Sequence, residues 1–181
     1  MLVAFLGELS VWGEATNLVG NLSEEDLAFH CLESACGAEL LEPGENVLDI
    51  GSGAGFPGIP LAIWRVRITL LEPRQRRAAF LRHALRVLGP GLNAGVRADR
   101  VEKLSEPAFD SATVRAVGGL GATVGEAKFL KPDGKLLIWT SDAAPFARDL
   151  APVFRLESCR LIPTSRTRKI AVFRKCSTGN I

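Results

Sequence analysis

VLDIGSGAGFPGIPLAI, residues 47–63, decides how the rest of this chain is read. Val47, Leu48 and Ile50 form an apolar strand. Gly51, Ser52, Gly53, Ala54 and Gly55 then supply side chains too small to fill the space above its tip. Such a loop, entering a helix, lets a nucleotide-like ligand approach the main chain closely, and exposed backbone N–H groups are expected there. Pro57 suits the first turn of that helix.

An acidic residue followed by Gly-x-Gly-x-Gly at a strand end suggests the S-adenosylmethionine loop of Rossmann-like methyltransferases. The same letters contain a second pattern. Gly53, Gly55 and Gly58 satisfy the dinucleotide fingerprint, and Glu72 stands about 20 positions on. Asp49 favours the methyl donor, because a carboxylate inside the strand can orient the loop and meet a cationic ligand, whereas it opposes a pyrophosphate.

Around this centre lie 181 residues, which fit one domain: a helical extension over 1–42 packed on a core over 43–181. No apolar stretch is long enough to span a membrane, and the N-terminus lacks a basic segment before an apolar run, so a cytoplasmic chain is expected. Cys31, Cys36, Cys159 and Cys176 form no C-x-x-C pair, which points to free thiols and no metal. Residues 1–63 hold ten Asp and Glu and no Lys or Arg, a charge of −10. The remaining residues hold all 22 basic groups against ten acidic ones, or +12. Part of this split can pair across the fold; the rest suggests a polyanionic partner.

Leu2, Phe5, Leu6, Leu9 and Trp12 predict an opening helix to about Thr16, and Asn17–Asn21 a connector. Ser23 caps a second helix to about Leu41, on which Glu33 can reach His30. Strands are predicted at 68–71, 93–97, 111–114 and 135–139, with helices at 74–88 and from the Gly118–Gly121 segment to near Phe129. A short helical turn is expected at 99–104. KPDG at 131–134 reads as a turn, and a helix near 146–153 precedes closing strands near 154–162 and 170–173. Glu72 ends the second strand, where a carboxylate accepts ribose hydroxyls; the alternative is a salt bridge to Arg74 or Arg76. The basic helix 74–88 carries Arg76 and Arg77, and Arg166, Arg168 and Lys169 lie in the last connector, all candidates for RNA phosphate contact.

VWGEATNLVG, FHCLESA, VLDIGSGAGFPGIPLA, LLEPRQRRAAFLR, DRVEKL, VRAV and LKPDGKLL occur in one order. In these words the chain resembles the RsmG (GidB) family of bacterial 16S ribosomal RNA guanine-N7 methyltransferases. The resemblance implies an α/β, Rossmann-like class I methyltransferase fold, with a mostly parallel seven-stranded sheet, an antiparallel edge and N-terminal helices. It implies S-adenosyl-L-methionine as cofactor and 16S ribosomal RNA, or the small ribosomal subunit, as partner of a monomer. Gly51, Gly53, Phe56, Glu72, Val101, Glu102 and Arg115 would hold the donor. No catalytic residue is expected beyond orientation and proximity, Arg115 being the one candidate. The sequence departs from the family pattern at Glu33, Pro73, Arg76, Val117 and Thr140. Alternatives remain a nucleotide-cofactor oxidoreductase of NAD type and a donor-binding, RNA-binding module without activity.

Overall fold

The computed structural model describes residues 1–16, 18, 20, 22–64, 66–115 and 118–176, with the side chains of 14–16 excepted. Of the predicted connector, 17, 19 and 21 fall outside the described residues, as does Val117.

The chain opens with α1 (Leu2–Thr16) and α2 (Glu24–Ala35). Ser23 and Asp26 cap α2 reciprocally: the Asp26 N–H donates to Ser23 Oγ at 3.1 Å, and the Ser23 N–H donates to Asp26 Oδ2 at 2.9 Å. The α-helix stops six residues short of the predicted Leu41 and tightens into a 3-10 turn over Cys36–Leu40. In that turn Gly37 sits so close to the Trp139 ring that a Cβ would lie 2.5 Å from Cζ2.

Strands β1 (Asn46–Ile50), β2 (Arg67–Leu71), β3 (Ala94–Arg97), β4 (Phe109–Arg115) and β5 (Leu130–Thr140) alternate with α3 (Gly58–Ile63), α4 (Gln75–Leu88), a 3-10 turn at Val101–Lys103, and α5 (Leu120–Val124). Then follow α6 (Ala144–Leu150), β6 (Phe154–Leu161) and β7 (Lys169–Lys175). The sheet order is β3-β2-β1-β4-β5-β7-β6. β1 to β5 pair in parallel, while β7 runs antiparallel to β5 and β6 antiparallel to β7.

Four local expectations need correction. α3 begins at Gly58, so Pro57 stands just before its first turn. α5 ends at Val124 instead of near Phe129, because Gly125 and Ala127 adopt φ of 51° and 50°, which no right-handed helix can continue. The KPDG segment lies within β5: Leu130 pairs with Phe109 and Lys135 with Ser111, so residues 131–134 loop out of the ladder, Asp133 at φ 58°. Lys169 begins β7 and is not part of the connector.

Alternation along the strands divides the core in two. Val47, Ile68, Leu70, Leu137 and Trp139 face α1 to α4 with Phe5, Leu9, Leu27, Ile59 and Phe80. Leu48, Ile50, Leu71, Ala112, Val114, Leu136 and Ile138 face the other way, with Leu120, Val124 and Leu150. Chain order reverses between β1 and β4, so the C-terminal tips of these strands border the crevice that open α/β sheets use for ligands. Ile50 pairs with Val114, so the glycine loop and Arg115 leave the sheet side by side. Among the described residues no helix is long and apolar enough to cross a membrane.

Candidate functional site: a donor cleft over the tips of β1 and β2

The loop after β1 differs from its expected chemistry. The N–H groups of Gly51 and Ser52 both donate to Leu71 O, at 2.8 and 3.1 Å. The Gly53 N–H donates to Glu72 Oε2 at 3.0 Å, and the Gly55 N–H to Ser52 O at 2.6 Å. These donors are thus used inside the protein instead of facing a ligand. What the loop offers is a surface without side chains, shaped by φ of 70°, 53° and 93° at Gly51, Gly53 and Gly55. At Gly55 the packing is strict as well: a Cβ would meet Ile59 Cδ1 at 2.8 Å.

Glu72 is the loop's clamp. It is buried, and besides accepting from Gly53 it accepts from the Arg74 N–H through Oε1 at 2.9 Å, at the start of α4. The expected alternative, a side-chain salt bridge to Arg74 or Arg76, is replaced by this backbone contact.

Two clefts meet over this clamp, sharing Gly51, Pro73 and Arg74. The first, of about 380 Å³, runs from Ile50 and Leu71 to Asp99, Val101, Glu102 and Thr123. The second, of about 450 Å³, is bounded by Gly53, Phe56, Glu72, Arg77 and Arg115. Six of the seven expected donor residues line one cleft alone, and Gly51 lines both. Of the expected phosphate contacts, Arg77 turns into the second cleft; the site of a Cβ on Gly53 lies 3.6 Å from its Nη1. Arg76 and Arg166 are exposed and line neither cleft.

Asp49 departs from expectation. It is fully buried and lines neither cleft, so it does not meet a ligand. Its Oδ1 accepts from the Thr113 hydroxyl at 2.8 Å, while Oδ2 has no hydrogen-bond partner among the described residues. Burial raises its pKa to about 6 against the lowering effect of the Ser52 and Thr113 hydroxyls. Its place is under the loop, where a Cβ on Gly58 would approach Oδ2 to 2.6 Å.

Behind Arg115, which lines the second cleft, lies a charge cluster that local sequence could not show. Glu33 is fully buried, and its Oε2 accepts from Arg115 Nη2 at 2.9 Å and from Arg168 Nη1 at 2.7 Å. Arg168, expected to be free for phosphate, is therefore engaged with α2. Arg115 Nη2 also lies 2.5 Å from His30 Nδ1, and the expected approach of His30 to Glu33 is present at 3.4 Å. Trp139 donates its indole N–H to Glu33 O at 2.8 Å. Burial is the main cause lowering the pKa of both His30 and Arg115. The charge split is partly neutralised across the fold: Glu33 meets both arginines, and Glu45 meets Lys135. The four cysteines are free, and no cluster of potential metal ligands occurs among the described residues.

Sequence reasoning missed Arg74, Asp99 and Thr123 as cleft residues. Only Asp99, in the loop after β3, had a positional signal.

The clefts fit an uncharged base, a ribose and a small zwitterionic arm better than a dinucleotide. The loop retains little N–H capacity for a pyrophosphate, and its side-chain-free surface admits a bulky ligand. Comparison with known proteins agrees on the fold. The chain superposes on a SAM-dependent O-methyltransferase from Thermotoga maritima with a TM-score of 0.62 at 17% identity, over 82% of this chain and 66% of that one. It is 44% identical over 113 residues to a ribosomal RNA small subunit methyltransferase G of Mycolicibacterium smegmatis, covering 60% of this chain and 48% of the relative. A protein of the same name from Rhodospirillum centenum is 42% identical over 137 residues, 74% of this chain and 62% of its own. The chain thus spans about half to three fifths of the length of these relatives. A family model described as rRNA small subunit methyltransferase G matches residues 1–144. With the class I methyltransferase fold and its glycine loop, that match over most of the chain places it in the GidB family.

Proposed function

We propose that this chain binds S-adenosyl-L-methionine and transfers its methyl group to guanine N7 in 16S ribosomal RNA of the small subunit. One observation carries the donor assignment: a glycine loop whose own N–H groups are satisfied, clamped by Glu72 at the junction of two clefts. The cofactor supplies an electrophilic methyl on a sulfonium. Val101, Glu102 and Thr123 border the cleft suited to adenine; Glu72 and Arg77 border the ribose position, and Gly51, Gly53 and Phe56 the methionine arm. Names of the relatives support ribosomal RNA as the substrate.

Guanine N7 exposes a lone pair, so the reaction needs no prior deprotonation. Among the described residues lining the second cleft, the one carboxylate, Glu72, is engaged by the Gly53 and Arg74 N–H groups, which suits a reaction without a general base. The protein's contribution is orientation, which can be worth roughly 7 to 11 kcal/mol when reacting atoms are held about 3 Å apart and aligned. The target base must leave its stack to enter the cleft between Phe56 and Arg115. Exposed Arg76 and Arg166 sit outside the cleft and suit backbone phosphates, with Lys169 near Arg166 in the chain. We place the protein in the cytoplasm, acting as a monomer, with 1–42 as a helical extension of a single domain.

Small-subunit particles lacking the modification, incubated with methyl-labelled donor and then mapped, test the assignment. One labelled guanine, cleavable as N7-methylguanosine, is expected; label on protein, on a ribose or on another base atom overturns it.

A further inference from the structure

Resting on that reading, the wall of the second cleft also addresses how guanine is told from other bases. Arg115 and Phe56 line that cleft, and His30 stands behind them, in contact with both. Arg115 Nη2 lies 2.5 Å from His30 Nδ1, and the His30 ring meets Phe56 edge-on with centroids 5.9 Å apart. A guanidinium carries donors and no acceptor. Nδ1 must therefore present its lone pair to Arg115, and the ring proton sits on Nε2. A second proton, at Nδ1, would point at a cation. The direction in which burial and Arg115 move the pKa agrees with a neutral ring.

With Nδ1 unprotonated, its 3.4 Å approach to Glu33 Oε2 is a contact without a hydrogen bond. Glu33 acts one step back. It holds Arg115, and Arg115 fixes the tautomer and orientation of His30. No partner is found for Nε2 among the described residues, and the side chain is 18% exposed. The result is one fixed, uncharged N–H donor beside the tip of β4, next to an aromatic ring that lines the donor cleft.

The edge of guanine that carries N7 also carries O6, and both are acceptors. Adenine pairs N7 with an amino donor at the same place. A donor that can reach O6 accepts guanine, opposes adenine, and leaves the N7 lone pair free for the methyl group. We propose that His30 is the specificity residue of this site, donating Nε2–H to O6 of the target guanine.

The test uses small-subunit particles assembled on RNA with either guanine or 2-aminopurine at the methylated position. 2-Aminopurine keeps N7 and lacks O6. The unmodified enzyme should favour guanine. His30→Ala should lose roughly tenfold in kcat/KM on guanine, the worth of about one hydrogen bond, and almost nothing on 2-aminopurine. His30→Gln, whose amide retains a donor, should recover part of the preference. Calorimetric donor affinity should stay the same in both variants, which separates loss of base reading from loss of the fold. If His30→Ala prefers guanine as strongly as the unmodified enzyme, the assignment is overturned. If the unmodified enzyme binds donor yet methylates neither particle, the functional reading itself falls, and this assignment with it.

Discussion

Arg115, the last residue of β4, and Glu33, in the last turns of α2, form a 2.9 Å ion pair across 82 positions of sequence. The pair ties the N-terminal helices to the cleft at the strand tips, and Arg168 joins the same oxygen from the β6–β7 connector. Glu33 therefore holds three segments in register at one point.

Removing that carboxylate should be costly. Glu33→Ala leaves Arg115, with a side chain 13% exposed, without its counter-charge. Loss of one partner of a buried pair predicts destabilisation of roughly 3 kcal/mol. Urea unfolding of the variant measures this, and Arg168→Ala, at 46% exposure, should change the midpoint far less.

Asp49 makes stability depend on pH. Its pKa rises from 3.8 unfolded to about 6 folded, so the folded state holds the proton more tightly. Its favourable contribution is complete below pH 3.8 and is lost as pH rises through about 6, a difference on the order of 3 kcal/mol. Asn at this position keeps the shape and cannot ionise. Asp49→Asn should therefore flatten the stability profile between pH 4 and 7, and should be at least as stable as the parent at pH 7. A variant that remains as pH-sensitive as the parent in that window contradicts this account of Asp49.

Gly58 tests the floor of the loop. An alanine Cβ there would lie 2.2 Å from Leu70 Cδ2 and 2.6 Å from Asp49 Oδ2, so Gly58→Ala should cost about 1–3 kcal/mol and weaken donor binding. Gly95, in β3, has open space around its Cβ position. Gly95→Ala should leave both thermal midpoint and donor affinity near those of the parent, which makes it the control.

The strand, the glycine loop and Glu72 were legible because each is a local pattern: an apolar run, small residues, and an acid at the next strand end. The basic helix was equally legible, yet its two neighbouring arginines part company. Arg77 turns into the cleft and Arg76 stays in solvent, a distinction of helical phase that composition does not carry. The glycine loop's N–H bonds to Leu71 and Glu72 depend on how β1 and β2 lie together, so the expected free donors were not visible as occupied. Glu33 with Arg115 and Arg168 was hidden for the same reason on a longer scale, since three distant segments had to be packed before the cluster existed. The break in the second helix belongs here too. Nothing near Gly37 in sequence announces Trp139.

The donor seat is tested most directly by titrating the purified protein with S-adenosylmethionine and, separately, with NAD in a calorimeter, alongside a Glu72→Ala variant. The account predicts saturable binding of S-adenosylmethionine, no measurable heat from NAD, and a donor affinity at least roughly tenfold weaker in the variant, since both backbone contacts of the clamp are lost. Tight NAD binding, or donor binding indifferent to Glu72, would contradict it.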